Sequence, residues 1–312
     1  MRHQRHLAGP MLAVPAIVLM LGILTSGTAS GACPQQPPVP EGCPLFKEEQ
    51  KCIIEINKNF AKVAKTQGKD ICACIKDRGR GELTGTVEEC LTADRKGRVA
   101  EAAGKLKQKV SAKCAGVPRF GTFEPFDPNQ VNQQLDPNQV NRLAIDKELR
   151  LIHRIFGSPL DTSIVVINED LPDTKGTAKC QVDAAKAVKK CQDAKLKQFI
   201  KCTKNGLKFF TSARDFEAQC LGFAGNAQRD PKGTIARACN TKLSEKLSKK
   251  CSSVDLEAAF PGECSDSENL TDLRECLDRI VECEVCMVLN KVGGLGRDCD
   301  LFDDGVANGS CP

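Results

Sequence analysis

Nineteen cysteines are the residues of this chain whose type and spacing could do chemistry. Cysteines pair as disulfides, bind metal ions as thiolates, or act as redox nucleophiles. Histidine, the usual partner in such sites, is scarce: the 312 residues contain three, and only His153 lies outside the N-terminal segment. The chain also lacks Trp and Tyr, which disfavours surfaces that stack sugars or bases. We interpret His153 as structural and expect no catalytic residues.

The cysteine spacing favours disulfides because it repeats along the chain. Cys180, Cys191 and Cys202 are each eleven residues apart, and Cys52 and Cys74 repeat the outer separation of 22. Eleven residues correspond to about three helical turns plus 20°, so these cysteines would lie on one stripe of a helix. The pattern therefore predicts two long helices with cysteines on one face.

A second segment recurs downstream of each of these helices. Residues 94–114 and 230–251 share the pattern D-x-K-G-x-[VI]-A and end in K-L-x-x-K-[VL]-S-x-K-C, with one extra residue in the second copy. Four lysines of the first helices also match: Lys58 with Lys186, Lys62 with Lys190, Lys69 with Lys197, and Lys76 with Lys204. The sequence thus predicts an all-α fold made of duplicated, disulfide-laddered antiparallel helical hairpins.

One cysteine pair indicates how the ladder is bonded. Where the second copy has Cys191 and Cys239, the first has Val63 and Ala103, so both cysteines are absent together, as bonded partners would be. Antiparallel packing then places the remaining pairs, whose Cα atoms must come within about 7 Å. The predicted bonds are Cys180–Cys251, Cys191–Cys239 and Cys202–Cys220 in the second copy, and Cys52–Cys114 and Cys74–Cys90 in the first.

A small cysteine-rich helical module closes the chain. Its six cysteines are Cys264, Cys276, Cys283, Cys286, Cys299 and Cys311. Three local disulfides are expected, and the spacing does not select their connectivity. Cys43 and Cys72 then pair by elimination. Cys283 and Cys286 have the spacing of a redox dithiol, but they lie inside the predicted helix 270–292, whereas such motifs work at a helix N-terminus.

Two metal sites are alternatives in this module. A zinc site would use its last four cysteines, but the final two are twelve residues apart instead of a few. A calcium loop would use Asp300 and Asp304, but Phe302 stands at a ligand position and Cys311 at the position of the bidentate Glu. We therefore predict no metal and no cofactor, and interpret the loop as an acidic turn.

The N-terminus has the order of a secretory signal peptide. A basic start precedes the apolar run Met11–Leu24, and small residues follow it. Cleavage between Ser30 and Ala32 would leave no transmembrane span and would deliver the cysteines to an oxidising compartment. The alternative is a membrane-anchored lipoprotein, because the residues up to Cys33 partly match a lipobox and a lipid anchor at Cys33 would leave eighteen cysteines to pair.

These features divide the chain into six segments. They are a signal peptide (1–32), an N-terminal linker (33–47), helical repeat A (48–126), a connector with one helix (127–175), helical repeat B (176–263) and the six-cysteine acidic module (264–312). The connector helix is expected to begin at Asp136-Pro137 and to end before Gly157. Residues 163–168 are interpreted as a short strand.

Charge is segregated along the chain. Residues 175–251 hold eighteen Lys and Arg against six Asp and Glu, whereas residues 252–312 hold four against fourteen. The lysine-rich helices indicate either a solvated face, partly neutralised by the acidic module, or a binding surface for anionic envelope polymers. Such polymers are the one class of partner that the sequence suggests.

The lysine-rich cysteine-bearing helices, the KLxxK…KC endings and the closing sequence CDLFDDGVANGSC resemble uncharacterised exported cysteine-rich, lysine-rich helical repeat proteins of deltaproteobacterial-type Gram-negative bacteria. That resemblance implies a periplasmic or extracellular location and no catalytic activity. We expect a structural or binding protein of the cell envelope or exterior, not an enzyme. The alternatives are a metal-binding or thiol-redox protein using the C-terminal cysteines and acidic loop, and a binder of anionic polymers.

Overall fold

A computed structural model describes residues 47–117, 136–207, 220, 230, 232–293, 298–300, 309 and 311. The described residues are helical, with no strand among them. The predicted signal peptide, the linker and Cys33 lie outside these residues. Within the described ranges, no helix is both long and apolar enough to cross a membrane.

Two long helices organise the described chain. The helices in chain order are α1 (Lys47–Gly79), α2 (Val87–Thr92), α3 (Arg98–Cys114), α4 (Pro137–Phe156), α5 (Leu160–Ser163), α6 (Pro172–Gly206), a π-helical segment (Ala236–Lys242), α7 (Leu243–Cys251), α8 (Leu256–Ala259) and α9 (Leu270–Gly293). Helix α1 packs against α3, α4 and α6, and α6 in turn packs against α7 and α9. The core lies between these helices.

Apolar residues at helical spacing explain why α1 and α6 bury one face. In α1, Ile56, Phe60 and Val63 recur three or four residues apart and are at most 1% exposed. In α6, Ala184, Val188 and Phe199 take the same role beside the cysteines. Several of these side chains are small, so neighbouring helices come close enough for disulfides to join them.

The shared D-x-K-G-x-[VI]-A pattern is the start of a helix in both copies. The Asp94 carboxylate accepts hydrogen bonds from the N–H groups of Val99 and Ala100, at 3.0 and 2.8 Å. Asp230 does the same for Ile235 and Ala236, at 2.6 and 3.1 Å. Each Asp is thus a carboxylate cap for backbone donors that have no intrahelical partner.

A glycine in the left-handed conformation follows each of these capping residues. Gly97 and Gly233 have φ angles of 63° and 59°, a conformation that glycine adopts without the steric penalty of a Cβ. Their N–H groups donate to the carbonyls of Asp94 and Asp230, at 2.7 and 3.0 Å. The spacing of Asp and Gly in the motif is therefore set by the turn that precedes the helix.

The extra residue of the second copy coincides with a change of helix type. Residues Ala236–Lys242 are π-helical, whereas α3 is α-helical over its whole length. A π-turn bonds residue i to i+5 and so accommodates one additional residue without ending the helix. Beyond it, Leu243, Leu247 and Cys251 return to the core in α7, as Leu106, Val110 and Cys114 do in α3.

The connector helix has the predicted ends, and the predicted strand is wrong. Asp136 caps α4 by accepting a hydrogen bond from the N–H of Asn138 at 2.9 Å, and the φ angle of 75° at Gly157 ends it. Residues 163–168 do not pair with another strand. Instead, Val165 donates its N–H to the Gln181 side chain of α6, and Ile167 donates to a carbonyl at the end of α1.

Candidate functional site

The disulfide ladder joins each long helix to the segments that follow it. The bonds in the structure, with their Cα–Cα distances, are Cys52–Cys114 (4.8 Å), Cys74–Cys90 (5.9 Å), Cys180–Cys251 (5.0 Å), Cys191–Cys239 (4.6 Å) and Cys202–Cys220 (5.4 Å). These are the five pairs that the sequence predicts. Apart from the half-buried Cys202, their cysteines are buried, so the bonds replace part of the apolar contact that a larger core would supply.

The C-terminal cysteines form two of the three expected local bonds. Cys264 pairs with Cys276, and Cys286 pairs with Cys299. Cys311 is a buried cysteine outside any disulfide, so the expected third bond is not formed. Its backbone N–H instead donates to the Asp300 carboxylate at 3.1 Å, which holds the end of the chain without a covalent bond.

The zinc alternative does not fit the described geometry. Cys286 and Cys299 are bonded to each other and have no thiolate to offer zinc. The Asp300 carboxylate, the first proposed calcium ligand, accepts hydrogen bonds from the N–H groups of Gly309 and Cys311, at 2.9 and 3.1 Å. Asp304, the second proposed calcium ligand, lies outside the described residues.

Cys72 does not form the expected bond with Cys43. It is a buried free cysteine, and Cys43 lies outside the described residues. Two residues correspond to about 200° around a helix, so Cys72 faces away from the disulfide side of α1 that carries Cys74. Burial raises the pKa of the Cys72 thiol to about 11, which keeps it protonated and unreactive at neutral pH.

A group of buried polar side chains lies beside Cys72, and the sequence did not predict it. Lys147 and Glu148 of α4 are 0% and 2% exposed, and their Nζ and Oε1 atoms are 3.4 Å apart. Gln192 of α6, also 0% exposed, donates a hydrogen bond to the Glu148 carboxylate. Gly68 of α1 makes space for this carboxylate, since a Cβ there would be 2.6 Å from Glu148 Oε2.

Burial sets the protonation of this pair. It lowers the pKa of Lys147, while the neighbouring Glu148 acts in the opposite direction. Burial likewise raises the pKa of Glu148, and Lys147 opposes the shift. Such shifted groups mark catalytic sites when they line a cleft. Here Lys147 and Glu148 are enclosed between helices, so we interpret them as a buried ion pair that specifies how α1, α4 and α6 pack.

The sequence contained a signal for this group. Val140, Ala144, Leu151 and Ile155 are buried at helical spacing along α4, and Lys147 and Glu148 fall between them on the same face. A charged residue at a core position of an amphipathic helix predicts a buried ion pair.

Ion pairs hold the acidic helix α9 against the basic helices. Lys195 of α6 is 3% exposed and contacts Asp278 at 3.1 Å and also Glu282. Glu284 of α9 is fully buried and accepts hydrogen bonds from Arg150 and Arg154 of α4, at 3.0 and 3.3 Å. The opposite charges of the two sequence regions therefore meet, in part, within the molecule.

His153 has a structural role in α4. Its Nε2 lies 3.0 Å from the Glu88 carboxylate of α2, and its Nδ1 lies 2.9 Å from the carbonyl of Leu149. The same Glu88 carboxylate accepts a hydrogen bond from the N–H of Leu160 at the start of α5. His153 and Glu88 thus connect three helices and leave no ring nitrogen directed at solvent.

The exposed faces of α1 and α6 consist almost entirely of lysine. From Lys51 to the end of α1, and between Lys175 and Lys204 of α6, every exposed residue is a lysine. We call these faces the α1 lysine stripe and the α6 lysine stripe. The α1 lysine stripe comprises the exposed Lys47, Lys51, Lys58, Lys62, Lys65 and Lys69 and the half-buried Lys76, and the α6 lysine stripe comprises Lys175, Lys179, Lys186, Lys190, Lys197, Lys201 and Lys204.

Two surface depressions are formed by the acidic module and its neighbours. They share Asp266, Ser267 and Glu268, and both are lined mainly by acidic and small polar side chains. Neither lining contains a histidine, and the cysteines that they include, Cys251 and Cys276, are bonded in disulfides.

One group of potential metal ligands remains in the described part of the chain. Cys191, Cys239 and Asp278 have ligand atoms within 4.8 Å of one another, but the two sulfurs are joined in a disulfide. A disulfide sulfur is not a thiolate and does not bind a metal as one. No protein-family model, no curated protein and no solved structure matches this chain.

Proposed function

We propose that this chain is an exported, non-catalytic structural or binding protein of the cell envelope or exterior, built from a duplicated, disulfide-laddered helical hairpin. The observation that carries the proposal is the ladder itself. In both halves, a long helix is bonded near its start to the end of the returning helix, and near its end to the connecting segment.

Three matching details support the duplication. The caps at Asp94 and Asp230 have the same hydrogen-bond pattern at the same offsets. The outer disulfides join corresponding positions in the two halves. The π-helical segment Ala236–Lys242 accounts for the one extra residue in the second half.

The seven disulfides among the described residues support export. Disulfides persist in oxidising compartments and are rare where cellular thiols keep cysteines reduced. The segment before residue 33 has the composition of a signal peptide, and a mature chain stiffened in this way would tolerate the conditions outside the cytoplasm.

Expression of the full chain with its own N-terminus in a Gram-negative host tests this proposal. Cell fractionation, intact mass and a thiol count would be measured together. We expect a periplasmic or extracellular protein that starts after residue 30 and has at least fourteen cysteines in disulfides. An uncleaved, reduced protein in the cytoplasm would refute the proposal.

A thiol-redox function is a second candidate, and one observation favours it. Four cysteines of the acidic module form a single buried cluster: Cys283, Cys286, Cys299 and Cys311. Cys311 lies in this cluster outside any disulfide, and a thiol beside a disulfide permits exchange between alternative bonds. A redox function predicts that the Cys286–Cys299 bond is reduced by a glutathione buffer that leaves Cys191–Cys239 intact, whereas a structural module predicts that both bonds resist.

A further inference from the structure

The α1 and α6 lysine stripes are long, continuous and narrow. At 100° per residue, the lysines of each stripe fall within a sector of about 60–80° of the helix circumference. Each stripe extends over 30 residues, with about 43 Å of helix between its first and last lysines. The acidic residues of α1 beyond its first turn are buried or half-buried, so no exposed carboxylate interrupts the α1 lysine stripe.

Ion pairing within the molecule does not account for the stripes. In the part of the chain that the structure describes, no stripe lysine forms a salt bridge. The lysines of α6 that do pair with carboxylates, Lys189 and Lys195, lie off the stripe and are half-buried and buried. The sequence thus separates lysines that hold the fold together from lysines that face solvent.

Helix stability does not account for the stripes either. Lys58 and Lys62 are four residues apart, as are Lys65 and Lys69, and like charges at this spacing destabilise a helix. Glutamate at alternate positions would stabilise the helix and keep it soluble. The α6 lysine stripe repeats the arrangement with Lys186 and Lys190.

The two stripes also share their positions. Six lysines of α1 have a lysine counterpart 128 residues later in α6, the offset that relates Cys52 to Cys180. The pairs are Lys47 and Lys175, Lys51 and Lys179, Lys58 and Lys186, Lys62 and Lys190, Lys69 and Lys197, and Lys76 and Lys204. The two halves differ elsewhere, including at Cys191, so the retained lysines indicate a role shared by both copies.

We propose that each lysine stripe binds a linear anionic polysaccharide along the helix. A row of unpaired ammonium groups matches a row of carboxylate or sulfate groups through charge alone, because lysine acts as a point charge without a fixed hydrogen-bonding geometry. This inference rests on the proposed function, since such polymers are encountered at the cell envelope and exterior.

The surface favours a polysaccharide over a nucleic acid or a membrane. Proteins that bind single-stranded nucleic acids stack the bases on exposed aromatic side chains. On the described surface, the exposed large hydrophobic residue is Leu171, which is not aromatic and offers no ring for stacking. Amphipathic helices that bind membranes insert apolar residues from the face beside their lysines. In α1 and α6 that neighbouring face is packed against other helices.

The test uses the purified, oxidised full chain and fluorescent heparin fragments as the probe. Affinity is measured by anisotropy over a range of salt concentrations, with fragments about 43 Å long and fragments half that length. We expect tighter binding of the longer fragments and a steep loss of affinity with salt, because each neutralised charge releases counterions.

Three variants remove the same number of positive charges. Comparing them distinguishes binding by a stripe from an effect of the net charge of the protein. Each replaces four exposed lysines with glutamine, which keeps much of the side-chain stem. The α1 variant is K58Q/K62Q/K65Q/K69Q, the α6 variant is K186Q/K190Q/K197Q/K201Q, and the control on α3 is K105Q/K107Q/K109Q/K113Q. Because each stripe variant keeps the other stripe, we expect it to bind one fragment per chain where the parent binds two, and we expect the control to keep both sites with at most a severalfold change in affinity.

Several outcomes would overturn the inference. An equal loss of binding in the α3 control would show that net charge, and not the stripe, is responsible. Tighter binding to phosphatidylglycerol vesicles, or to single-stranded DNA of equal charge, would show that the partner is not a polysaccharide. Unfolding of the stripe variants in less urea than the parent would assign the lysines a structural role. Because the purified oxidised chain is used, none of these results depends on whether the protein is exported.

Discussion

Cys191 of α6 is bonded to Cys239 of the π-helical segment, with their Cα atoms 4.6 Å apart. The corresponding positions of the first half hold Val63, which is fully buried, and Ala103, which is half-buried. The aligned sequence positions therefore hold a disulfide in one segment and two apolar side chains in the other. This difference gives a direct way to measure what a rung of the ladder contributes.

The double variant C191V/C239A replaces the two cysteines with the residue types found at the corresponding positions of the first half. We expect it to fold but to lose about 2–4 kcal/mol of unfolding free energy, because the bond restricts a loop of 48 residues in the unfolded chain. Urea unfolding followed by circular dichroism measures the change. Mass spectrometry confirms that the other bonds are present, and an unchanged urea midpoint would show that the rung adds nothing.

The buried pair of Lys147 and Glu148 predicts strong coupling between two mutations. K147M leaves a buried carboxylate without its partner, and E148Q leaves a buried ammonium group, so each single variant should lose about 3–5 kcal/mol of unfolding free energy. The double variant should lose much less than the sum, since no unpaired charge remains buried. Additive losses in this double-mutant cycle would contradict the interpretation.

The buried thiol of Cys72 predicts that the folded protein becomes less stable in alkaline solution. Burial raises its pKa from 9.0 to about 11, so the folded state holds the proton more tightly than the unfolded state. The contribution of this thiol to the free energy of unfolding is fully present below pH 9. It is lost between about pH 9 and 11, where the free energy of unfolding falls by about 2–3 kcal/mol. Lys189 and Glu148 act on this thiol in opposite directions, and their effects are smaller than that of burial.

The control for that experiment is C72A. Lysines also titrate in this range, but they do so in both proteins, so the difference in urea stability between parent and variant isolates the thiol. The difference should change in favour of C72A as the pH rises from 8 to 11. A constant difference would show that Cys72 is not the buried, protonated thiol that the structure describes.

The ion pairs of Lys195 with Asp278 and Glu282 predict that electrostatic attraction holds α9 against α6. Burial acts to lower the pKa of Lys195, but Glu282 and Asp278 outweigh it and raise the pKa, so the side chain remains charged. K195M should lose about 1–3 kcal/mol and increase hydrogen exchange in α9, because two half-buried carboxylates lose their partner. K197Q, which changes an exposed lysine of the same helix, is the matched control and should change neither.

Much of the fold could be predicted because cysteine spacing is a long-range constraint. Once Cys191 and Cys239 were matched by their joint absence from the first half, helical periodicity limited the other partners. The ends of α4 could also be predicted, because Asp136-Pro137 is a local signal for a helix start and Gly157 for a helix end. Local capping and periodic spacing therefore determine most of the architecture.

The remaining features depend on tertiary packing, or were visible in the sequence and overlooked. Cys72 was assigned to Cys43 by elimination, but its direction around α1 places it towards α6. Residues 163–168 have strand-like composition, yet their backbone donors are satisfied by Gln181 and by the end of α1. Lys147 and Glu148 were overlooked because charged residues are usually assigned to the surface.

Peptide mapping of the exported protein without reduction is the most direct test of the duplicated ladder. After proteolysis, we expect linked peptides that join Cys52 with Cys114, Cys74 with Cys90, Cys180 with Cys251, Cys191 with Cys239, and Cys202 with Cys220. A peptide that links Cys191 to any cysteine other than Cys239, or outer bonds that differ between the two halves, would contradict it.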